Sequence, residues 1–384
     1  MIRVGIDASN IISGGGLTHL VEILNNVQID KVGIDSIEVW ASQNTLSFLP
    51  EKEGVVLRHH PWLDQNLLKR GLWQRFKLTA VARDHYDLLF VPGGSYLGSF
   101  RPFVTMNRNL QPFDQDAIDR YSWSPQKLRI QLLSVIQKYT YKQAEGVIFL
   151  SDEARKITLE NLDRVSFDTR IVPHGIAQKF FKKPRIQKPI GEYSFTSPMR
   201  LLYVSTINLY KHQWNVIETV AHLREKGYPV VLDLIGNIKN KQAGKRFWDA
   251  VKKYDPNNEF IFYHGSRDQD QLIKDYHNAD IAVFASSCET FGQILLESMA
   301  SGLPVACADR SAMPEILQES GVYFDPENVS SLIDALEKYI GDTELRNKMA
   351  HSAYKRARNF SWDKCAEDTF SYLSQITKQY YSTN

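Results

Sequence analysis

The chain has 384 residues, of which 43% are hydrophobic and 23% charged, with a formal net charge of +2. That length suits two domains of ordinary size, and the composition is that of a soluble globular protein. So mild a charge gives no argument for nucleic acid. Cys288, Cys307 and Cys365 have neither metal spacing nor an even disulfide framework, and no run of 18 apolar residues occurs that could cross a membrane.

Ile2 to Ile6 reads as a buried first strand, entered with no apolar signal region before it. Asp7 to Asn10 and then Ser13, Gly14, Gly15 and Gly16 lead into a helix expected from about Leu17 to Asn26. A glycine cluster between a first strand and a helix brings backbone N–H groups close to a phosphate. The pattern is not G-x-G-x-x-G, because His19 stands three residues past Gly16. The next strand, Ser36 to Ser42, ends without the acidic residue that a dinucleotide ribose needs, which disfavours a nicotinamide enzyme. His19 is either a ligand or a surface residue of the cap region.

Asn66 to Arg83 alternates Leu67, Leu68, Leu72, Trp73, Phe76 and Leu78 with Lys69, Arg70, Arg75, Lys77 and Arg83. This predicts a basic amphipathic helix. It either lies on an anionic membrane surface or packs on a sheet with its basic face outward. Tyr121 to Tyr141, with Trp123, Lys127, Arg129 and Lys138, leaves the same two readings open. Strands are expected from Asp87 to Val91 and from Phe103 to Asn107. The second runs into Arg108 and Asn109, which offer a guanidinium for a phosphate or acidic acceptor and an amide for a sugar hydroxyl. Glu145 to Ser151 is a further strand with Ser151 as a helix cap.

Gln178 to Arg200 is rich in Lys, Pro and Ser and reads as a linker. The second half opens on a strand at Met199–Val204, followed by a loop with Thr206 and Lys211 and a helix from about Gln213 to Lys226. A cation beside a helix start suits two phosphates, and the plain alternative for Lys211 is a solvated loop lysine. Asp114-Gln115-Asp116 and Asp268-Gln269-Asp270 both spell D-x-D, but both sit at helix starts, so no metal site is expected.

The most informative stretch follows the apolar strand Asp280–Ala285. Thr290 and Gln293 form a capping-box pattern that predicts a helix beginning near Phe291. Gly292 lets a ligand approach the backbone, and the helix N-terminus offers N–H groups and a positive dipole end to a diphosphate. Glu289 precedes that helix and Glu297 lies inside it. A carboxylate accepts two hydroxyls at once and so suits a sugar or a ribose.

Glu289 to Glu297 resembles the E-x7-E motif of retaining GT-B glycosyltransferases of glycosyltransferase family 4, and Ala300 to Val305 resembles that family's A-x-G-x-P-V segment. The likeness spans nearly the whole chain and is strongest from Leu201 to Pro326. It includes Pro314-Glu315, Gly321 to Pro326 and Phe360-Ser361-Trp362. It implies two doubly wound parallel-sheet (Rossmann-like) α/β domains facing a central cleft. The boundaries are 1–177 for an acceptor-side domain, 178–199 for the linker and 200–360 for a nucleotide-sugar domain. Residues 361–384 form a last helix returning to the first domain.

The resemblance implies a donor site of Gly15, Gly16, Thr206, Lys211, Phe291, Gly292, Gln293 and Glu297, with Glu289, Lys211, Arg108 and Asn109 at the reacting centre. Three positions depart from the family pattern. Arg108-Asn109 stands for His-Asp, Thr206 for the second diphosphate cation, and His174 for Asn.

The expected activity is retaining, metal-independent transfer of a hexose from a GDP- or UDP-linked donor to a glycan or lipid-linked acceptor in surface polysaccharide synthesis. No cofactor beyond the donor is expected. The expected setting is cytoplasmic, at most peripheral on the inner face of a membrane. The alternative is a catalytically silent sugar-nucleotide-binding partner subunit, and an epimerase lacks a general-base constellation.

Overall fold

The computed structural model describes residues 2–383, which form two compact units. The first comprises the chain through Ile118, Ser122–Gly175 and the chain from Phe360 on. The second comprises Asp119–Tyr121 and Ile176–Asn359.

Seven strands form the sheet of the first unit among the described residues, the inner ones from short apolar runs bounded by turns and the edge ones from more polar, exposed sequence. They are β1 (Arg3–Asp7), β2 (Ser36–Ala41), β3 (Val55–His59), β4 (Leu88–Val91), β5 (Phe103–Asn107), β6 (Gly146–Phe149) and β7 (Asp168–Ile171). All pair in parallel in the order β3-β2-β1-β4-β5-β6-β7. β4, β5 and β6 are buried at every residue, as strands covered on both faces must be. Leu89, Val91, Phe103, Val147 and Phe149 pack with Trp73, Tyr96, Phe113 and Tyr141 in one core. The last helix, Trp362–Thr383, packs against the first, Gly15–Asn26.

The second unit repeats the plan with β8 (Met199–Val204), β9 (Val230–Ile235), β10 (Ile261–Tyr263), β11 (Ile281–Phe284), β12 (Val305–Ala308) and β13 (Val322–Phe324), ordered β10-β9-β8-β11-β12-β13. The fold is therefore two doubly wound parallel sheets. In each, the strand order reverses beside the first strand, at β1/β4 and at β8/β11. Loops leave those strand ends in opposite directions and open a crevice for ligands. The Lys- and Pro-rich stretch after Gln178 packs on the second unit. Lys182 N–H donates to the Ala300 carbonyl at 3.0 Å, and the Arg185 guanidinium is paired with Asp280.

In the first unit the first helix, the second strand and the Asn66–Arg83 helix differ from expectation. The first helix begins at Gly15, two residues before Leu17, because Gly14 supplies the cap at φ 67°. The second strand ends at Ala41, and Ser42 instead caps the next turn by accepting from Thr45 N–H at 3.2 Å. The helix expected over Asn66–Arg83 is not continuous. It runs as α from Leu67 to Leu72, as a π-helix from Trp73 to Leu78, and as α again from Thr79 to His85.

The π segment has a tertiary cause. Its widened turn delivers Gln74 to Asp7 at the end of β1, where Gln74 Nε2 donates to Asp7 Oδ2 at 2.6 Å and to the Ser95 carbonyl at 3.1 Å. Gln74 Oε1 accepts from Leu97 N–H at 3.1 Å. Asp7 is fully buried, and burial raises its pKa against the hydrogen bonds from Ser9 and Gln74 that lower it. Gln74→Ala strips donors and an acceptor from buried partners, so urea unfolding should show a loss on the order of 1–3 kcal/mol. An unchanged midpoint would mean that the π turn is held by something else.

Candidate active site

The expected site residues fall into two groups, one on each unit. On the second unit, the loop after β8 carries Thr206 and Lys211, and the loop after β11 carries Glu289, Phe291 and Gly292. These strands are neighbours, so the two loops meet at the switch point. Lys211 Nζ is ion-paired with Glu289 Oε1. The lysine is only 5% exposed, and its ammonium lies over the Tyr210 and Phe284 rings, 5.2 Å and 5.4 Å from their centroids. It is therefore a desolvated, fixed cation and not a solvated loop lysine.

Both loops are tied down by bonds that local patterns do not reveal. The Tyr203 hydroxyl donates to the Lys211 carbonyl at 2.6 Å, Ser287 N–H donates to the Tyr210 carbonyl at 2.9 Å, and Glu289 N–H donates to Ser311 Oγ at 3.0 Å. His212 caps the Gln213–Glu225 helix in a left-handed conformation at φ 51° and bonds Ser287 Oγ through Nε2 at 2.9 Å. Burial lowers its pKa to about 4, so it stays neutral at physiological pH. The Thr206 carbonyl accepts from Gln213 Nε2 at 3.1 Å.

The helix after β11 runs from Gln293 to Ala300, two residues later than the capping-box pattern places it. Its cap is Gly292, at φ 84°, and not Thr290. A Cβ at Gly292 would come within 2.6 Å of Met313 Cε. Leu296 is the first residue whose N–H closes an intrahelical bond, to the Gly292 carbonyl at 3.1 Å. The first turn therefore presents N–H groups that have no acceptor inside the helix.

One turn further in, the Glu297 carboxyl accepts from the Tyr276 hydroxyl at 3.0 Å. Tyr276 lies on the Gln269–Asn278 helix and is absent from the expected site; no local spacing relates it to Glu297. Desolvation raises the Glu297 pKa to about 7, offset in part by the Tyr276 bond. The first aspartate of each D-x-D sequence serves as a helix-start acceptor. Asp268 Oδ1 accepts from Gln271 N–H at 2.8 Å and Asp114 Oδ1 from Ala117 N–H at 3.0 Å.

On the first unit, Gly15 and Gly16 begin the first helix and Arg108 and Asn109 follow β5. The Arg108 guanidinium lies directly on Gly16, where a Cβ would meet its Nη2 at 2.1 Å and have to displace it. Desolvation lowers Arg108 to about 10, which leaves it cationic at neutral pH. Asn109 Oδ1 accepts from Gln111 N–H at 3.2 Å in the local turn. His19 is not a surface residue. It is fully buried and stacks on His174 with ring centroids 4.9 Å apart. Burial, His174 and Arg108 together hold its pKa well below the ordinary value. Arg108 and Asn109 border a cavity of about 440 Å3 above the ends of β1, β4 and β5.

With this geometry in view, comparison with known proteins places the fold among GT-B glycosyltransferases. Residues 191–356 match the family model described as Glycosyl transferases group 1. Sulfoquinovosyl transferase SQD2 of Arabidopsis thaliana is 28% identical over 155 residues, which is 37% of this chain and 30% of that protein. The first curated relatives are spanned over only 27% to 53% of their length. Sucrose-phosphate synthase from Thermosynechococcus elongatus has a TM-score of 0.74 at 16% identity, with both chains covered in full. Anabaena HepE in complex with UDP and glucose has a TM-score of 0.68 at 18% identity over 100% of this chain and 99% of that one.

Glu297 makes a pH-dependent contribution whose sign is fixed. The folded state holds its proton to about pH 7 and the unfolded state only to about pH 4.5, so wild-type stability falls as pH rises through that window. Glu297→Gln has no proton to lose and keeps the partner for Tyr276. Its melting temperature should gain on the wild type between about pH 4.5 and 7 and then run parallel. Curves that are parallel throughout would show that Glu297 is not desolvated.

Proposed function

We propose that the chain is a retaining glycosyltransferase that moves a hexose from a GDP- or UDP-linked donor to a glycan or lipid-linked acceptor, in surface polysaccharide synthesis. The observation that carries this reading is the Lys211–Glu289 pair beside the first turn of the Gln293–Ala300 helix, with the Glu297 carboxyl one turn further in. Those groups match the parts of a nucleotide-diphosphate-sugar. Lys211 and the helix N-terminus meet the diphosphate, Glu297 meets the ribose hydroxyls and Glu289 orients the sugar. HepE, which shares the fold, has been crystallised with UDP and glucose, and the chain is similar over part of its length to sulfoquinovosyl transferase SQD2.

In this reaction the acceptor hydroxyl oxygen bonds to the anomeric carbon as that carbon's bond to the diphosphate breaks, the hydroxyl proton passes to the departing diphosphate, and negative charge develops on the leaving oxygen. A fixed ammonium and fixed backbone donors stabilise that charge without reorganising. Glu289 shares its charge with Lys211, so it serves better to hold both in place than to attack as a nucleophile. Without a covalent intermediate, retention requires front-side displacement, and we propose it on the E-x7-E resemblance. We also propose that no metal is required. The first aspartate of each D-x-D sequence already accepts a helix-start N–H group, and Lys211 supplies the cation.

Thermal denaturation with UDP, GDP, ADP and their sugars tests the reading. A binder of the folded state raises the melting temperature, by several degrees when it is present well above its Kd. One base should do so, Glu297→Ala should abolish the shift, and Lys211→Ala should lower the rate about 100-fold to 1,000-fold. A shift without donor hydrolysis or transfer would support a silent sugar-nucleotide-binding subunit. No shift with any nucleotide would overturn both.

A further inference from the structure

The first unit carries an unusual face. The broken helix Leu67–His85 and the helix Pro125–Gln143 border the same 440 Å3 cavity. Both turn large apolar side chains to solvent. On the longer helix Leu128, Leu132, Val135 and Tyr139 are 54% to 65% exposed, and their spacing of four, three and four places them on a single stripe. Trp123, just before that helix, is 92% exposed. Leu67, Leu68 and Phe76 add a second exposed cluster. Leu67 and Leu132 are at once exposed and part of the cavity rim, so the two clusters adjoin at its mouth. Contiguous apolar surface of this kind marks a docking face.

Charge identifies the occupant. Gln65–Arg83 holds Lys69, Arg70, Arg75, Lys77 and Arg83 with no acidic residue, and Ser122–Ala144 holds Lys127, Arg129, Lys138 and Lys142 with none. Of these nine cations Lys142 is paired with Asp163 at 3.0 Å, and the two segments remain strongly cationic in a chain of net charge +2. A second copy of the chain fits poorly, because a two-fold interface sets this face against itself and opposes like charges. An anionic bilayer satisfies both features. Its surface potential attracts the cations, and its interface accepts leucine, valine and aromatic side chains. Arg70, Arg108 and Arg129 line the cavity together with Leu97, Leu132 and Ile136. A lining that combines arginines with aliphatic side chains suits a phosphate attached to a hydrocarbon chain.

We propose that this face docks on an anionic phospholipid bilayer and that the cavity takes the phosphate-bearing end of a lipid acceptor from it. The identification of that lipid as acceptor rests on the transferase reading above; the docking does not.

Flotation of the full chain with phosphatidylcholine vesicles, with and without phosphatidylglycerol, tests the docking. The protein should float with the anionic vesicles only, and added salt should release it. The double variant Leu128→Ser/Val135→Ser alters exposed residues outside the cavity and should bind at least about tenfold more weakly while keeping its nucleotide-dependent thermal shift. Farnesyl monophosphate, used as a soluble probe, should raise the melting temperature of the wild type and not of Arg129→Ala. Equal recovery with neutral and anionic vesicles, or a dimer in sedimentation that the double variant disrupts, would overturn the docking. A probe that shifts both proteins alike or neither would overturn the cavity assignment. Loss of the nucleotide shift with vesicle binding intact would overturn the transferase reading alone.

Discussion

The pairing of Lys211 with Glu289 is the interaction on which the second unit's chemistry depends. An ammonium that is only 5% exposed is stable where a carboxylate and two ring faces replace its water. That requirement extends outward. The Lys211 backbone is held by Tyr203, and the Glu289 backbone by Ser311. The two loops are then laced together through Tyr210, His212 and Ser287. None of this can be assembled unless β8 and β11 are neighbours, since Lys211 and Glu289 are separated by 78 residues of sequence. The strand order is thus a precondition of the ion pair, and the ion pair fixes where an incoming anion meets positive charge.

What could be read in the sequence follows from the range of the forces involved. Buried parallel strands appear as apolar runs because both faces are covered, so β1, β4, β8 and β11 are visible without a structure. The glycine cluster before the first helix and the Glu289–Pro304 stretch are visible for the same reason, being local patterns with local causes. The π turn at Trp73–Leu78 was not visible, because it answers to Asp7, 67 residues away from Gln74. Tyr276 escaped notice because its partner Glu297 lies on another helix, 21 residues on. For His19 the sequence leaves a ligand and a surface residue both open, and the structure removes the second, because the ring is buried against His174, which no local window includes.

The helix at Gln293 shows two local signals in competition. Thr290 and Gln293 satisfy the spacing of a capping box, yet the chain begins the helix from a glycine cap in the left-handed region. A side-chain cap would place an oxygen over the first turn and consume one of its N–H groups. A glycine in the cap position contributes no side-chain oxygen of its own, and its left-handed turn sets the direction in which the chain enters the helix.

The two units share a sheet order but divide their charge differently. In the second unit the buried ionisable groups near the switch point are answered: Lys211 by Glu289, Glu297 by Tyr276, and neutral His212 by Ser287. In the first unit both ring nitrogens of His19 are buried without a hydrogen-bond partner among the described residues. Burial and the neighbouring Arg108 keep that ring neutral. Arg108 therefore provides the lasting positive charge at the Gly16 turn, and a neutral imidazole lies close behind it. Positive charge on this unit spreads outward from there through Arg70 and Arg129 to the exposed basic segments. On the second unit the buried cation Lys211 sits at the switch-point crevice. A concentrated cation suits a small, highly charged diphosphate, whereas a dispersed array beside aliphatic walls suits a partner whose charge is spread over a surface.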